Sequence, residues 1–161
     1  MLRGMETLES VSFTRHVRLT VPTSRPTEFV DLTDRVVTIL AVAGLRTGLV
    51  NVHTQHTTTA VIVNEHEPLL LEDFAAALER LAPRGLAYAH DNATRRTVNL
   101  SEPERTNGHA HCRALFLPTS ASLNVVRGTL QLGRWQRLFL VELDGPQERS
   151  ISIAMVGEGW R

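Results

Sequence analysis

The sequence contains no lysine, because all 17 of its basic residues are arginine. Lysine-dependent chemistry, such as a Schiff base or the phosphate-binding lysine of a Walker-type loop, is therefore excluded. The single cysteine, Cys112, rules out an intramolecular disulfide and supplies too few thiols for a zinc ribbon. We expect it to be a small buried apolar residue. No apolar run approaches the ~20 residues of a membrane-spanning helix.

Charge and composition are ordinary for one globular domain. The chain has 161 residues, 42% hydrophobic and 21% charged, and its 17 acidic residues balance its 17 basic ones. We expect a single domain over residues 1–161. A neutral chain lacks the basic excess of a nucleic-acid binder, so we expect neither nucleic-acid nor membrane partners. The N-terminus has no apolar signal segment, which favours a cytoplasmic location.

Hydrophobic periodicity predicts two helices and several strands. The helices are expected at about 27–43 and 69–81, the second starting behind Pro68. Residues 86–104 are irregular and polar, which indicates a surface loop with at most a short strand. Strands are predicted at 12–21, 48–53, 57–64, 111–117, 122–127, 129–132, 135–142 and 150–156. This order predicts an α+β fold, with a largely antiparallel β-sandwich-like core and two main helices.

Seven histidines are many for a chain of this size. On the predicted strand, His109 and His111 would share one face about 7 Å apart, because side chains alternate. By the same alternation, His53 and His56 would point in opposite directions. A metal site would have to be assembled from distant segments, and an ordinary structural role is the alternative for each histidine.

The run 55–65 combines a histidine, three threonines and an Asn-Glu pair. Threonine hydroxyls can bind phosphate or carboxylate oxygens, and polar groups at strand exits often form sites. Asp73 could approach Glu65 across the corner between strand and helix, giving a carboxylate pair for Mg²⁺ or for proton transfer. The alternative is a buried strand followed by a capping corner and a solvated helix-face carboxylate.

Two later features also admit two interpretations each. Trp135 could form a flat wall for a planar ligand whose edge Gln136 reads, or the indole could simply pack behind a hairpin. Arg149 follows a turn, where it could bind an anion bidentately or pair with a carboxylate.

Taken together, the motifs of this chain resemble those of the YjbQ family, also called the secondary thiamine-phosphate synthase family. The resemblance covers nearly the whole chain and implies a compact α+β domain that assembles as a homotrimer. It also implies an activity that joins an aminopyrimidine diphosphate to a thiazole phosphate and releases pyrophosphate. The matching motifs are Gln55-His56-Thr57-Thr58, Asn64-Glu65, Tyr88-Ala89-His90-Asp91, Ala110-His111, Gly133-Arg134-Trp135-Gln136 and Glu142-Leu143-Asp144-Gly145-Pro146.

The resemblance further implies a polar pocket built from His56, His90 and His111, which could hold zinc or an anion. Zinc or Mg²⁺ is the candidate cofactor, and a small phosphorylated molecule is the candidate partner. The predicted catalytic residues are His56, Glu65, Asp73, His90 and His111. The predicted substrate-binding residues are Thr57, Thr58, Asn64, Trp135, Gln136 and Arg149, with Arg113 as a further anion ligand.

Two other functions fit the same residues. The first is a zinc-dependent hydrolase of a small phosphorylated substrate, since three histidines and a carboxylate can hold Zn²⁺ with one open position. The second is a non-catalytic trimeric protein that binds an anion or a metal. For all three functions, we expect the three imidazoles to meet in one pocket.

Overall fold

The computed structural model describes residues 11–100, 103 and 105–159. This part of the chain forms eight strands and three α-helices. The strands are β1 Val11–Pro22, β2 Glu28–Asp31, β3 Leu45–Thr54, β4 Thr59–Glu65, β5 Ser120–Val126, β6 Thr129–Leu130, β7 Gln136–Glu142 and β8 Glu148–Gly159. The helices are α1 Thr33–Ala43, α2 Pro68–Leu81 and α3 Gly108–Ala114, and a single 3-10 turn at Ala89–Asp91 precedes α3.

The strands form two sheets in which every pair is antiparallel. The first has five strands in the order β1-β8-β3-β5-β6, and the second has three in the order β2-β7-β4. Along β8, buried residues alternate with more exposed ones, as expected for a strand with one face on the core. The predicted α+β class with a largely antiparallel core is therefore confirmed.

Strand β7 is buried on both faces, which places the small sheet in the middle of the domain. Leu138 and Leu140 belong to the core cluster of the five-stranded sheet. Phe139 and Val141, on the opposite face, pack in a second cluster with Leu78 of α2 and with α3. The three-stranded sheet therefore lies between the five-stranded sheet and the two helices.

Helix α2 follows the sequence prediction closely. Pro68 occupies its first turn, where a missing N–H costs nothing. The Glu67 carboxylate caps the helix by accepting hydrogen bonds from the N–H groups of Leu69 (3.0 Å) and Leu70 (2.8 Å). None of the helices in the described ranges is both long and apolar enough to cross a bilayer.

The helix predicted at 27–43 is wrong in its first turn. Glu28 to Asp31 form β2, which pairs with β7, and α1 begins only at Thr33. The Asp31 carboxylate accepts the Thr33 N–H at 2.8 Å and so helps to start the helix there. Helical and strand periods cannot be distinguished over so short an apolar run, and pairing with β7 decides the outcome.

The strand predicted at 111–117 is also wrong, because Gly108 to Ala114 form α3. Two residues apart on a helix are about 200° apart, so His109 and His111 point in opposite directions rather than sharing a face. His109 is fully buried, whereas Cys112, predicted to be buried, is exposed. The predicted loop contains the 3-10 turn, and no strand forms in its described part.

Candidate functional site

A polar cavity of about 410 Å³ opens where the β3–β4 and β7–β8 connections meet the segment before α3. The two connections lie side by side because β3 pairs with β8 and β4 pairs with β7. Most of its wall is polar. The lining residues are Gln55, His56, Thr57, Thr58, Pro103, Arg105, Asn107, His111, Asp144, Gln147 and Arg149.

A buried ion pair forms the base of this cavity. The Arg149 Nε donates to Glu142 Oε2 at 2.6 Å, and Nη2 donates to Oε1 at 2.5 Å. Arg149 is 2% exposed and Glu142 is fully buried. Arg149 also donates to Thr58 Oγ1 (3.3 Å) and Gln147 Oε1 (3.2 Å). Four of its five N–H groups are therefore engaged within the protein.

Glu142 shapes the β7–β8 loop as well as pairing with arginine. Its Oε1 accepts the N–H groups of Leu143, Asp144 and Gly145 at 3.0–3.3 Å. Burial alone would raise the pKa of Glu142, but the hydrogen bonds from Arg149 and Asp144 outweigh it and hold the pKa below its usual value. The carboxylate is thus ionised at neutral pH and fixes the loop that carries Asp144.

Asp144 presents a largely buried carboxylate to the cavity, with only 4% of the residue exposed. Its Oδ2 accepts hydrogen bonds from Gln147 Nε2 (3.0 Å) and Asn107 Nδ2 (3.3 Å). The Arg105 Nη1 lies 3.8 Å from the same oxygen, and the Arg105 side chain is half exposed. Arg105 is therefore a loosely held cation at the mouth of the cavity.

His56 lines the cavity with its tautomer fixed by the backbone. Its Nε2 accepts the Ser150 N–H at 2.9 Å, so the neutral ring carries its proton on Nδ1. Burial and, after it, the nearby Arg149 guanidinium lower the pKa of His56. The ring is neutral at pH 7 and acts in the cavity as a hydrogen-bond donor through Nδ1.

His111 and His90 are paired, and only His111 lines this cavity. Their ring centroids are 4.6 Å apart. Burial, followed by the neighbouring His90, lowers the pKa of His111. In the described ranges, no three His, Cys, Asp or Glu side chains are placed to hold a metal ion. The structure therefore does not bring His56, His90 and His111 together as a metal-binding triad.

Several predicted site residues lie at the opposite end of the small sheet. In the β4–β7 register, Thr59 pairs with Glu142 beside the cavity, whereas Glu65 pairs with Gln136 six residues away. Six residues of strand span about 20 Å. Glu65, Gln136 and their neighbours Asn64 and Trp135 are thus separated from the cavity.

The local contacts of these residues agree with that separation. The Gln136 Oε1 accepts the Gly133 N–H at 2.7 Å, and the Arg134 guanidinium lies 4.5 Å from the exposed Trp135 ring. Asn64 lines a small apolar cavity beside α2. Asp73 lies on an exposed part of α2 and contributes nothing to the polar cavity.

Arg113, proposed from the sequence as an anion ligand, is a structural residue. It is 2% exposed, pairs with Glu79 and donates from Nε to the Ala82 carbonyl oxygen at 3.0 Å. A further hydrogen bond reaches Thr27 Oγ1 at 3.2 Å. Arg113 therefore ties α3 to the end of α2 and lies outside the cavity lining.

Sequence reasoning assigned no site role to Asp144, Asn107, Arg105 or Gln147, all of which line the cavity. Asp144 belongs to the turn expected before Arg149, and its position in the β7–β8 connection is compatible with that turn. The available signal was that this turn ends the strand paired with β4, which brings it beside the Thr57-Thr58 segment. Arg105 and Asn107 lie in irregular chain, where no periodicity indicates a neighbour.

The fold and the site together define an antiparallel α+β domain with a polar cavity lined by three connecting segments. A family model described as "UPF0047 protein YjbQ-like" matches residues 17–158. The chain therefore belongs to the YjbQ/UPF0047 family, as its motifs predicted.

Relatives and solved structures agree with this assignment. A UPF0047 protein of Archaeoglobus fulgidus is 38% identical over 85% of this chain and 98% of its own. One of Methanothermobacter thermautotrophicus is 35% identical over 87% of this chain and 90% of its own. A YbjQ-like protein of unknown function from Sulfolobus solfataricus matches with a TM-score of 0.80 and 33% identity, covering 92% of this chain and all of the other. These comparisons establish the family and the fold.

Proposed function

We propose that this protein is a secondary thiamine-phosphate synthase-type transferase, whose reaction takes place in the polar cavity. The observation that carries the proposal is the convergence of arginine, imidazole, hydroxyl and carboxylate groups around a space of about 410 Å³. That volume lies within the ~300–1,000 Å³ typical of small-molecule sites. The family resemblance supplies the reaction, since the geometry by itself supports only the binding of a small polar anion.

Binding of the diphosphate falls to groups at the mouth and base of the cavity. Arg105 is half exposed and only loosely paired with Asp144, so its guanidinium can turn to an incoming phosphate. Arg149 has one uncommitted N–H. The hydroxyls of Thr57 and Thr58 line the same wall. Arginine suits this task because its charge is permanent and its planar fork matches phosphate oxygens.

The proposed reaction breaks the C–O bond between the pyrimidine methylene and the diphosphate. The electron pair leaves with pyrophosphate, and the thiazole nitrogen donates its lone pair to form the new C–N bond. Charge therefore builds on the departing oxygen, where Arg105 and the His56 Nδ1–H stabilise it. The Asp144 carboxylate accepts a hydrogen bond from the pyrimidine amine and orients the ring.

A resident metal ion does not fit this donor set. Within residues 11–100, 103 and 105–159, no three potential ligands among His, Cys, Asp and Glu are suitably placed. The Nε2 of His56 already accepts a backbone hydrogen bond. The sequence-based alternative of a zinc hydrolase therefore has no structural support, and we assign no step to a metal.

Steady-state turnover tests the proposal directly. Purified protein would be supplied with the aminopyrimidine diphosphate and the thiazole phosphate, and both thiamine phosphate and pyrophosphate would be measured. We expect the wild type to form the two products in equal amounts. For Arg105→Gln and Asp144→Asn we expect kcat/KM to fall by about tenfold or more, since each variant loses a charge-assisted contact. Arg35→Gln on α1 and Glu72→Gln on α2 are matched controls, because both residues are exposed and lie outside the cavity.

The remaining alternative is that the protein binds an anion without catalysing a reaction. It is favoured by one observation, namely that Arg149 and His56 are largely satisfied by internal hydrogen bonds. Two results together would favour this alternative over the synthase. The wild type would form no product from the two substrates, and its binding of pyrophosphate would be weakened by Arg105→Gln. Our proposal also includes a homotrimer in the cytoplasm, and light scattering of the purified protein tests the trimer.

A further inference from the structure

A second polar cavity, of about 420 Å³, lies on the loop that follows the 3-10 turn. It is separate from the cavity described above, with which it shares none of its lining residues. Its wall consists of Ala89, His90, Arg95, Arg96, Val98 and Asn99. No predicted function of the chain uses Arg95, Arg96 or Asn99.

The loop around this cavity is held in one shape by its own polar groups. The Asn92 Oδ1 accepts hydrogen bonds from Thr94 N, Thr94 Oγ1 and Arg95 N, which closes a tight turn. The Arg96 guanidinium donates to the carbonyl oxygens of Val98 (3.3 Å) and Asn99. Arg96 therefore frames the cavity, and a ligand would meet a loop that is already organised.

Arg95 is placed differently from Arg96. Its backbone N–H closes the turn, while its side chain lines the cavity, and no described residue pairs with its guanidinium. Among residues 11–100, 103 and 105–159, no carboxylate lines the wall. The neighbouring Asp91 is directed elsewhere, since its Oδ1 accepts the N–H groups of Asn107 and Gly108 at 2.9 Å each. The described part of the wall thus contains two arginines and no acidic side chain.

His90 adds a further donor from a second segment of the chain. Its ring packs against His111, with centroids 4.6 Å apart, and His111 lines the first cavity. The two cavities are therefore separated by a wall of two imidazoles. Donors from the 3-10 turn and from the loop thus line one cavity, and arginine among them is the side chain that pairs most readily with phosphate oxygens.

We propose that this second cavity is a phosphoryl-binding site, in which Arg95, His90 and Asn99 hold the oxygens of a phosphate or a phosphate monoester. The site does not depend on the proposed synthase reaction, because its residues are distinct from those of the first cavity. A chain with both cavities occupied would hold two phosphoryl groups on either side of the imidazole pair.

Titration with inorganic phosphate, followed by ¹H–¹⁵N NMR of the full chain, tests the site. Amide signals of residues 95–99 should shift and saturate in the wild type. Arg95→Gln should weaken the response at residues 96–99 by about tenfold or more, because a charge-assisted contact is lost. Arg105→Gln should weaken the response around Thr57 and Ser150 while leaving residues 95–99 unchanged.

Arg35→Gln is the matched control for loss of one positive charge, and the same spectra verify that each variant is folded. Methyl phosphate in place of phosphate distinguishes a monoester site from one for the free ion. The proposal would be overturned if phosphate caused no shift at residues 95–99 of the wild type. It would also be overturned if Arg95→Gln bound phosphate there with the affinity of the wild type.

Discussion

Replacing Arg149 by methionine tests whether the buried ion pair holds the cavity together. Methionine has a similar length but no charge, so Glu142 would stay fully buried without its ionic partner. The pair consists of two charge-assisted hydrogen bonds, at 2.5 and 2.6 Å, and each such bond is worth about 1.5–3 kcal/mol. Removing one partner of a buried pair costs about 3–5 kcal/mol. We therefore expect Arg149→Met to lower the free energy of unfolding by that amount at pH 7.

The pH dependence of this cost has a definite sign. In the wild type, Glu142 has a lowered pKa, so its contribution is present above the ordinary glutamate value, about 4.3, and is lost as pH falls below it. Without Arg149, burial dominates and raises the pKa of Glu142. The difference between wild type and variant should therefore be largest near neutral pH and shrink as pH falls through the raised pKa of Glu142 in the variant toward its lowered pKa in the wild type.

Urea unfolding at pH 7 and pH 4, followed by circular dichroism, measures both effects. The double variant Glu142→Gln/Arg149→Met removes the unpaired charge and should recover part of the lost stability at pH 7. A loss below about 1 kcal/mol for Arg149→Met, or one that is equal at both pH values, would refute this account of the ion pair.

Three further outcomes follow from single contacts. Hydrogen bonds outweigh burial and hold the pKa of Asp31 at about 2. Asp31→Asn should therefore lower the free energy of unfolding by about 2 kcal/mol at pH 7. Urea unfolding should show that this loss of stability fades as pH falls from about 4 to 2. Gly48→Ala would bring a Cβ within 2.1 Å of the Val156 backbone oxygen at a φ of +155°, so it should lower the free energy of unfolding by about 3 kcal/mol. Gly85 has open space around it, and thermal unfolding of the control Gly85→Ala should be unchanged. His56 should titrate by NMR below its ordinary pKa of 6.5, because burial and a nearby guanidinium disfavour its cation.

The sequence predicted best those elements whose signals are local. Helix α2 has a proline at its start, a capping glutamate and a helical apolar period, and it forms where expected. Helix α1 ends at Gly44, whose φ of +82° is the left-handed conformation that glycine adopts most easily. These features depend on neighbouring residues alone, so no knowledge of the rest of the fold was needed.

The errors arose where distant contacts decide the structure. Residues 28–31 form β2 because β7 offers them an edge to pair with, and no local pattern reveals that edge. Residues 108–114 form a helix that overlaps the strand predicted at 111–117, since Arg113 and Ala110 of α3 pack against α2 and the small sheet. Tertiary packing overrides weak local preferences in such short segments.

The residues predicted for the candidate site lie at both ends of the small sheet, and only those at one end line the cavity. His56, Thr57 and Thr58 precede β4, and these residues line the cavity with His111 and Arg149. Glu65 ends the same strand, and its length alone separates it from Thr58 by about 20 Å. The strand predicted at 57–64 is eight residues long, and this length already implies that its two ends lie far apart. Both ends carry polar residues, and this similarity led us to assign them to one site.

The absence of lysine has a consequence for both cavities. Every cation on their walls other than imidazole is an arginine, whose charge does not change below pH 12. Burial and the neighbouring charges lower the pKa values of His56 and His111, so both rings are neutral at pH 7 and stay so at higher pH. In the first cavity, phosphate affinity that changes above neutral pH therefore reflects the ionisation of the phosphate itself, because the arginines and neutral imidazoles of that wall keep a constant charge.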